Sequence, residues 1–348
     1  MAERIRIGGR DLRPHKATVN PRLGSRTVLS NSHWEYVALW LRREHKSDAL
    51  LYWQQAQTFS AAAVGMPIAS APLLFYYSFM NATKALLSAK GVTFHEHHGI
   101  RAHNMRGPSS KIALSNEGVA LLQRGVAPAL SQYLNETETQ TRHSLEALFF
   151  NTPCIHRTFC LTYRNQQDLF IPLTDTELLF DSATNSAYFA AKLSQDFVGA
   201  KFINRLPTSL IADPAAQDQR SIRSIASVPL GTSRPRSAAD FATLAMFLRS
   251  LRPDIHYLAG SQTLWYAKAV VPGPTRLRRS PLTCTLLAMH RLSELCRYKP
   301  IELSSFLGGQ KNWLLNEFVR MSPPQFLDEI AAELTGQQFM IPNVRPAN

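Results

Sequence analysis

The chain has 348 residues, 45% of them hydrophobic, which is enough apolar material for about two folded domains. Lysine and arginine outnumber aspartate and glutamate by 38 to 25, and the resulting net charge of +13 favours phosphate-bearing partners. Pro67 and Pro72 interrupt the longest apolar run, so we expect no transmembrane helix. A secretory signal has an apolar segment after its basic residues, and the basic N-terminus of this chain has none. We therefore expect a cytoplasmic protein.

Residues 1–30 are polar and lack a regular hydrophobic period, which predicts an extended basic arm. A second basic cluster lies near residue 278. A solvated tail and an ordinary surface loop are one interpretation, because no aromatic residues alternate with the arginines of the arm. The other is contact with nucleic acid through Arg4, Arg6, Arg10, Arg13, Arg276, Arg278 and Arg279.

Helical patterns dominate residues 31–155 and predict a helical bundle. Ser32 is a candidate N-cap for a helix over 33–44, a second helix runs from Ser47 to Pro67, and a third begins at Pro72 and is closed by Gly91. Further helices are predicted over 116–134 and 144–150. The first 150 residues are therefore expected to be all-helical.

Residues 156–275 change to short apolar or alternating segments, which predict an antiparallel sheet of about five or six strands and one helix, Ala238–Leu251. Beyond Pro274 the helical period returns, and residues 276–348 are expected to form a C-terminal helical segment that packs on the bundle. Ser280 and Pro281 start a helix through Arg297. Helices are also predicted over 307–319 and 324–334. This order predicts the α+β class. The predicted strands are 158–163, 169–173, 186–193, 201–211, 221–230 and 263–271.

The third predicted helix carries Tyr77, Asn81 and Lys84 on one face, because they are separated by four and three residues. One interpretation is a polar seam that packs against the second helix. The other is a pocket for an anionic or nucleotide-like ligand, since lysine binds phosphate as a point charge. The candidate ligand-binding residues are Gln54, Gln55, Tyr77, Asn81, Lys84, His98 and Arg297.

The segment 95–103 holds four histidines, but their spacing matches no closed zinc motif and we expect no metal. His98 alone is kept as a ligand candidate. The four cysteines form no C-x-x-C pair and are expected to be reduced and packed. The chain also lacks the phosphate-loop, dinucleotide and serine-hydrolase motifs, so we expect no cofactor and assign no catalytic residue.

Several blocks of the chain resemble the YaaC-like family of bacterial proteins. They are Trp34, the segment ALLYWQQA at 49–56, PLLFYYSFMNATKALL at 72–87, His98-Gly99 and LSELCRYKP at 292–300. The family implies no activity.

The same helices are similar to HEPN-type domains, whose ribonucleases carry an arginine and a histidine with four to six residues between them. The pairs with that spacing are Arg10/His15, Arg26/His33 and Arg249/His256, and none of them lies inside a helix that follows the matching blocks.

These observations favour a non-catalytic protein that binds nucleic acid or a nucleotide-like ligand. One alternative is a HEPN-type, metal-independent ribonuclease that uses Lys84, His98 and a basic residue. The other is a structural subunit of an operon-encoded complex, for which a protein partner or homo-oligomer is expected.

Overall fold

The protein divides into two compact units. Its computed structural model describes residues 2–107, 110, 112–164, 166–233, 235–260, 262–273 and 275–340. The first unit, here called the sheet unit, comprises 1–30, 168–271 and 336–348, and the second, the helical unit, comprises 31–167 and 272–335.

Most helices belong to the helical unit, whereas the sheet unit is built on an antiparallel sheet, which confirms the predicted α+β class. The strands are β1 (Ala2–Arg4), β2 (Arg6–Ile7), β3 (Arg10–Asp11), β4 (Val28–Leu29), β5 (Ile100–Asn104), β6 (Glu117–Leu121), β7 (Arg142–Ser144), β8 (Phe170–Asp181), β9 (Ser186–Leu193), β10 (Leu210–Ala212), β11 (Ser221–Ser224), β12 (Val228–Pro229), β13 (Ile255–Leu258), β14 (Leu264–Lys268) and β15 (Phe339–Met340). The helices are α1 (His33–Arg43), α2 (Ser47–Ala63), α3 (Ala71–Ala89), α4 (Val126–Tyr133), α5 (Leu145–Phe150), α6 (His156–Thr162), α7 (Ala200–Ile203), α8 (Ala238–Leu251), α9 (Pro281–Tyr298), α10 (Pro300–Leu307) and α11 (Asn312–Thr335).

The sheet unit is built on an eight-stranded antiparallel sheet with the central order β10-β11-β9-β8-β14-β13. Strand β1 pairs with β8, and β12 pairs with β9. Strand β9 alternates between buried and partly exposed residues along its length, as a strand with one covered face does. Helix α8 adds Leu244, Phe247 and Leu248 to the same core.

Residues 2–30 belong to the fold and are not a solvated tail. Ile5 and Leu12 are only 2% and 7% exposed and lie in the core of the sheet unit. Strand β4 pairs in parallel with β15, near the other end of the chain. Apolar side chains spaced between the arginines therefore anchor the segment to the sheet.

The helical unit surrounds α9, which is buried along most of its length. The Ser280 side chain caps its first turn by accepting a hydrogen bond from Thr283 N, and Pro281 follows, as predicted. Helix α3 packs its Phe79 ring on Phe326 of α11, with ring centroids 4.0 Å apart. No helix in the described residues is both long enough and apolar enough to cross a membrane.

Two predicted strands are wrong because tertiary packing overrides the local preference of their residues. Segment 158–163 lies mostly in α6, where Phe159 packs between Phe150 and Tyr163. Segment 201–211 is the end of α7, a turn and the start of β10.

The predicted helix over 116–134 is also wrong in its first half, which forms β6 in the three-stranded sheet β5-β6-β7. Gly118 allows this pairing, since a Cβ there would lie 2.4 Å from the His143 carbonyl oxygen. The first 150 residues thus contain strands both before residue 30 and within the bundle region. The prediction that the first 150 residues are all-helical is therefore wrong, and strands β5, β6 and β7 do not support a HEPN-like bundle over 31–155.

The last two predicted helices form one helix. Residues 312–335 are continuous through Pro323 and Pro324. Proline normally ends a helix, because it lacks an N–H group and crowds the preceding turn. Here Phe318 and Phe326 are both buried on either side of the proline pair. Their burial holds both halves in the core of the helical unit.

Candidate functional site

The polar line on α3 is divided between different partners. Asn81 donates a hydrogen bond of 2.9 Å to the Tyr77 carbonyl oxygen in its own helix. The Tyr77 ring stacks on Phe59 of α2, with centroids 5.3 Å apart. These two residues thus contribute to helix geometry and to the contact between α2 and α3. Tyr77 nevertheless remains 37% exposed.

Lys84 binds a carboxylate from the histidine-rich turn. Its Nζ lies 2.6 Å from Glu96 Oε2, and the Tyr52 hydroxyl donates to the other oxygen of Glu96 at 3.0 Å. The hydrogen bond from Lys84 is the main reason that the pKa of Glu96 is lowered. Lys84 therefore already has an anionic partner.

Gln54 and Gln55 are exposed on α2. Within the described residues, neither side chain is hydrogen-bonded to Tyr77, Asn81 or Lys84. The structure therefore does not bring the glutamines and the α3 line into one hydrogen-bonded site.

His98 instead lies beside a buried histidine of α9. The centroids of the His98 and His290 rings are 5.0 Å apart. His98 is exposed, whereas His290 is only 1% exposed and meets the Tyr76 ring edge to face at 4.9 Å. His95, His97 and His103 do not join His98 in any group of the described residues that is tight enough for a metal ion.

His290 is a neutral imidazole with an unsatisfied nitrogen. Burial, together with the charges of His98, Arg297 and Arg291, lowers the pKa of His290 to about 3. Its Nδ1 is buried without a hydrogen-bond partner and lies 3.6 Å from Glu294 Oε2. Buried polar atoms are rarely left unpaired, so this nitrogen is a candidate contact for a ligand.

The base of the cluster is a buried ion pair between α9 and β6. Arg291 forms a short contact with Glu117, and the two side chains are 4% and 2% exposed. Arg291 also donates to Glu294 at 3.2 Å and to the Asn104 side-chain oxygen at 3.4 Å. Burial raises the pKa of Glu294, and the positive charge of Arg291 opposes this shift.

Arg297 is the exposed cation of this cluster. Its Nε donates to the Ser293 carbonyl oxygen at 3.3 Å, and its guanidinium carbon lies 4.9 Å from the centre of the Tyr298 ring. Burial and the positive charges of His97 and Arg297 lower the pKa of His98. We call this cluster the α9 histidine site; its residues are Tyr76, His98, His290, Arg291, Glu294 and Arg297.

Sequence reasoning missed His290, Arg291 and Glu294. The signal was present, because His290, Glu294 and Arg297 are spaced by four and three residues on a helix that is otherwise mostly apolar. Tyr77, Asn81 and Lys84 on α3 have the same spacing. The buried Glu117 had no comparable signal.

The backbone around His98 is held by the N-terminus of α4. The carbonyl oxygens of His97 and His98 accept hydrogen bonds from Val126 N at 3.0 Å and Ala127 N at 3.1 Å. Those N–H groups have no partner within their own helix. Gly99 and Gly125, with φ values of +72° and +127°, make this close approach possible.

We expect Gly125→Ala to lower the free energy of unfolding of the helical unit by about 2–3 kcal/mol. A Cβ at this position would lie 2.4 Å from Gly99 Cα and 2.8 Å from the His97 carbonyl oxygen, so backbone would have to move. Urea unfolding followed by tryptophan fluorescence measures the loss, since four of the five tryptophans lie in the helical unit.

Gly91→Ala is the matched control. Gly91 also has a positive φ, +67°, but a Cβ added there would have no neighbour within 4 Å. The only expected cost at this position is about 1 kcal/mol, for holding alanine at a positive φ. Equal losses in the two variants would show that the close approach of Gly99 and Gly125 does not limit stability.

Most predicted nucleic-acid contacts of the arm are engaged within the protein. Arg4 contacts Glu177 at 2.6 Å and Asp11 at 3.3 Å. Arg6 contacts Asp11 at 2.9 Å, and Arg10 donates to the Gly24 carbonyl oxygen at 3.2 Å. Arg13 is exposed, and within the described residues it has no ion-pair partner.

The second basic cluster requires a correction. Arg279 is 3% exposed, and its guanidinium group binds Glu136 at 3.1 Å and His143 Nε2 at 2.8 Å. It is therefore a structural residue and is not available to nucleic acid. Arg276 is partly buried and Arg278 is exposed.

Together, the fold and the site define an α+β protein whose helical unit carries a buried histidine, arginine and carboxylate cluster next to an exposed histidine and arginine. The chain belongs to the YaaC-like family, because the family model described as YaaC-like Protein matches residues 17–334. No curated protein matches the chain. No solved structure matches it either.

Proposed function

We propose that this protein binds a phosphate-bearing, nucleotide-like ligand at the α9 histidine site. The observation that carries the proposal is the buried, unpaired Nδ1 of His290 beside two exposed groups, His98 and Arg297. An unpaired buried nitrogen costs free energy that a ligand hydroxyl or amine would recover. A nucleotide ligand also agrees with the expectation of a cytoplasmic protein.

Charge and aromatic surface both favour a nucleotide over a simple anion. Arg297 offers a guanidinium group, which matches the geometry of phosphate oxygens. Tyr298 is 71% exposed and Tyr77 is 37% exposed, so aromatic faces are accessible in the helical unit for stacking with a base. The ligand would thus have its phosphate at Arg297 and His98 and its base on a tyrosine.

The protonation states favour binding over catalysis. Cleavage of RNA by two imidazoles needs one of them to carry a proton near neutral pH. The pKa of His290 is about 3, and the pKa of His98 is also lowered, so both rings are uncharged near neutral pH. Lys84, the other residue considered for a ribonuclease, is paired with Glu96. We therefore favour a binding protein over a HEPN-type ribonuclease.

We expect Arg297→Ala to weaken the binding of a nucleotide by about ten- to a hundredfold, because a charge-assisted hydrogen bond is lost. His98→Ala is expected to weaken binding to a smaller extent. Fluorescence anisotropy with labelled ATP, labelled GTP and a short labelled single-stranded RNA measures the affinities at one fixed salt concentration.

Arg43→Ala is the control, since Arg43 is an exposed arginine of the helical unit in the last turn of α1. Binding that falls equally in Arg43→Ala and Arg297→Ala would reduce the effect to general charge attraction. If none of the probes binds saturably, the proposal is wrong. Saturable binding of RNA alone would identify nucleic acid, and not a mononucleotide, as the ligand.

A further inference from the structure

A small cavity lies in the sheet unit, beneath the β2–β3 hairpin and the segment that follows it. Its volume is about 170 Å³. One water molecule needs on the order of 15 Å³ of such space, so the cavity has room for a tetrahedral oxyanion and some water. The polar residues of its lining that matter here are Arg10, Asp11, Arg13, His15, Ser25 and Thr27.

His15 lines this cavity and carries a buried polar group without a partner. Its side chain is 4% exposed, and its Nδ1 accepts a hydrogen bond of 3.0 Å from Ala17 N. In the neutral ring the proton must therefore lie on Nε2. That nitrogen is buried and has no hydrogen-bond partner.

His15 stays neutral at physiological pH. Burial, with the positive charges of Arg252 and Lys16, lowers the pKa of His15 to about 4. The ring therefore carries no charge, and its Nε2–H group is a neutral hydrogen-bond donor. An anion would satisfy it and would also be attracted by the surrounding positive charges.

The charges of the lining favour an anion. The lining includes two arginines, Arg10 and Arg13, and one carboxylate, Asp11. That carboxylate is already bound by Arg4 at 3.3 Å and Arg6 at 2.9 Å. The hydrogen bond from Arg10 to Gly24 O, 3.2 Å long, uses only one of the five N–H groups of this side chain.

Hydroxyl groups complete the set of donors. Ser25 and Thr27 line the same cavity, and their hydroxyls have no hydrogen-bond partner among the residues that the structure describes. Hydroxyls, guanidinium groups and an unpaired imidazole N–H are donors of the kind that oxyanion sites use.

We propose that this cavity is a binding site for a tetrahedral oxyanion of the phosphate class. Arg10 and Arg13 supply the charge, and His15, Ser25 and Thr27 supply neutral hydrogen bonds. The site is in the sheet unit and does not depend on the α9 histidine site of the helical unit. Its ligand is either free phosphate or a terminal phosphate group on a larger molecule.

Inorganic phosphate is the first probe, measured by isothermal titration calorimetry on the full chain against sodium chloride of the same ionic strength. We expect saturable binding that weakens about tenfold in Arg13→Gln, through loss of a charge-assisted hydrogen bond. His15→Asn is expected to weaken binding similarly, because asparagine keeps an acceptor for Ala17 N but lacks the Nε2–H donor. Arg13 is exposed, so its variant tests the site even if His15→Asn does not fold.

Two control variants define the site. Arg26→Gln removes an exposed arginine of the same segment that does not line the cavity and should leave phosphate binding unchanged. Arg43→Ala, an exposed position in the last turn of α1, should also leave it unchanged. A loss in either control variant equal to that in Arg13→Gln would overturn the proposal.

A dinucleotide with and without a 5′-phosphate separates the two sources of the oxyanion. Binding of inorganic phosphate supports a free ion, and binding of the phosphorylated dinucleotide alone that weakens in Arg13→Gln supports a terminal phosphate group. Dinucleotide binding that Arg13→Gln leaves unchanged, with no binding of inorganic phosphate, would overturn the proposal. Failure of both to bind saturably would overturn the proposal, whatever the outcome at the α9 histidine site.

Discussion

Arg291→Met is expected to lower the free energy of unfolding of the helical unit by about 3–5 kcal/mol, because it leaves the Glu117 carboxylate buried without a charged partner. The two side chains are 4% and 2% exposed, so water cannot replace the lost interaction. Arg291 also binds Glu294 and Asn104, and both contacts would be lost with it. Urea unfolding followed by tryptophan fluorescence measures the change.

The double variant Arg291→Met with Glu117→Leu is the decisive control. Removing both charges also removes the unpaired carboxylate, so most of the lost stability should return. A double variant that is as unstable as Arg291→Met would show that packing around Arg291, and not the isolated charge of Glu117, determines the loss. Exposed Arg43→Met should change stability by less than about 0.5 kcal/mol.

Arg279→Met is expected to cost about 3–5 kcal/mol as well, since it breaks the buried pair with Glu136. The guanidinium group also donates to His143 Nε2 at 2.8 Å and to the Gln140 carbonyl oxygen at 2.7 Å. Glu136 in turn accepts a hydrogen bond of 2.9 Å from Ser280 N, at the start of α9. Losing Arg279 therefore weakens the attachment of α9 to the segment before β7.

Arg278→Gln provides a matched comparison, because Arg278 precedes Arg279 in the chain but has an exposed side chain. Its backbone N–H donates to Glu138 at 2.7 Å, and this contact survives the substitution. We expect a change below about 0.5 kcal/mol. Differential scanning calorimetry on both variants makes the comparison, and similar melting temperatures for the two would contradict the structural role of Arg279.

Local patterns were most reliable where one element has one clear period. The alternation in β9, the helical period of α8 and the Ser280–Pro281 start of α9 all have the predicted form. The predicted strand over 158–163 is wrong because its aromatic and β-branched residues, which prefer strands, pack here as a helix around Phe159. The prediction of two separate helices around Pro323 and Pro324 is wrong for a similar reason. Burial of residues on both sides of the proline pair outweighs the tendency of proline to end a helix.

The proposed α9 histidine site includes two residues that were candidates from the sequence. His98 and Arg297 were candidates from the sequence, and the structure places His98 beside the buried His290. Lys84 was a candidate too, but it binds Glu96. The spacing of polar residues identifies the face of a helix that they share, yet it contains no information on which other segment covers that face.

The amino-acid sequence by itself determined the α+β class, the caps and periods of the main helices, the excess of positive charge and the resemblance to the YaaC-like family. These properties depend on neighbouring residues or on composition. Only the tertiary structure decided which charges are paired, because Arg291 meets Glu117 across 174 positions and Arg279 meets His143 across 136. Burial then turned Arg279 from a predicted nucleic-acid contact into a structural residue, and left His290 and His15 as neutral imidazoles with unpaired nitrogens.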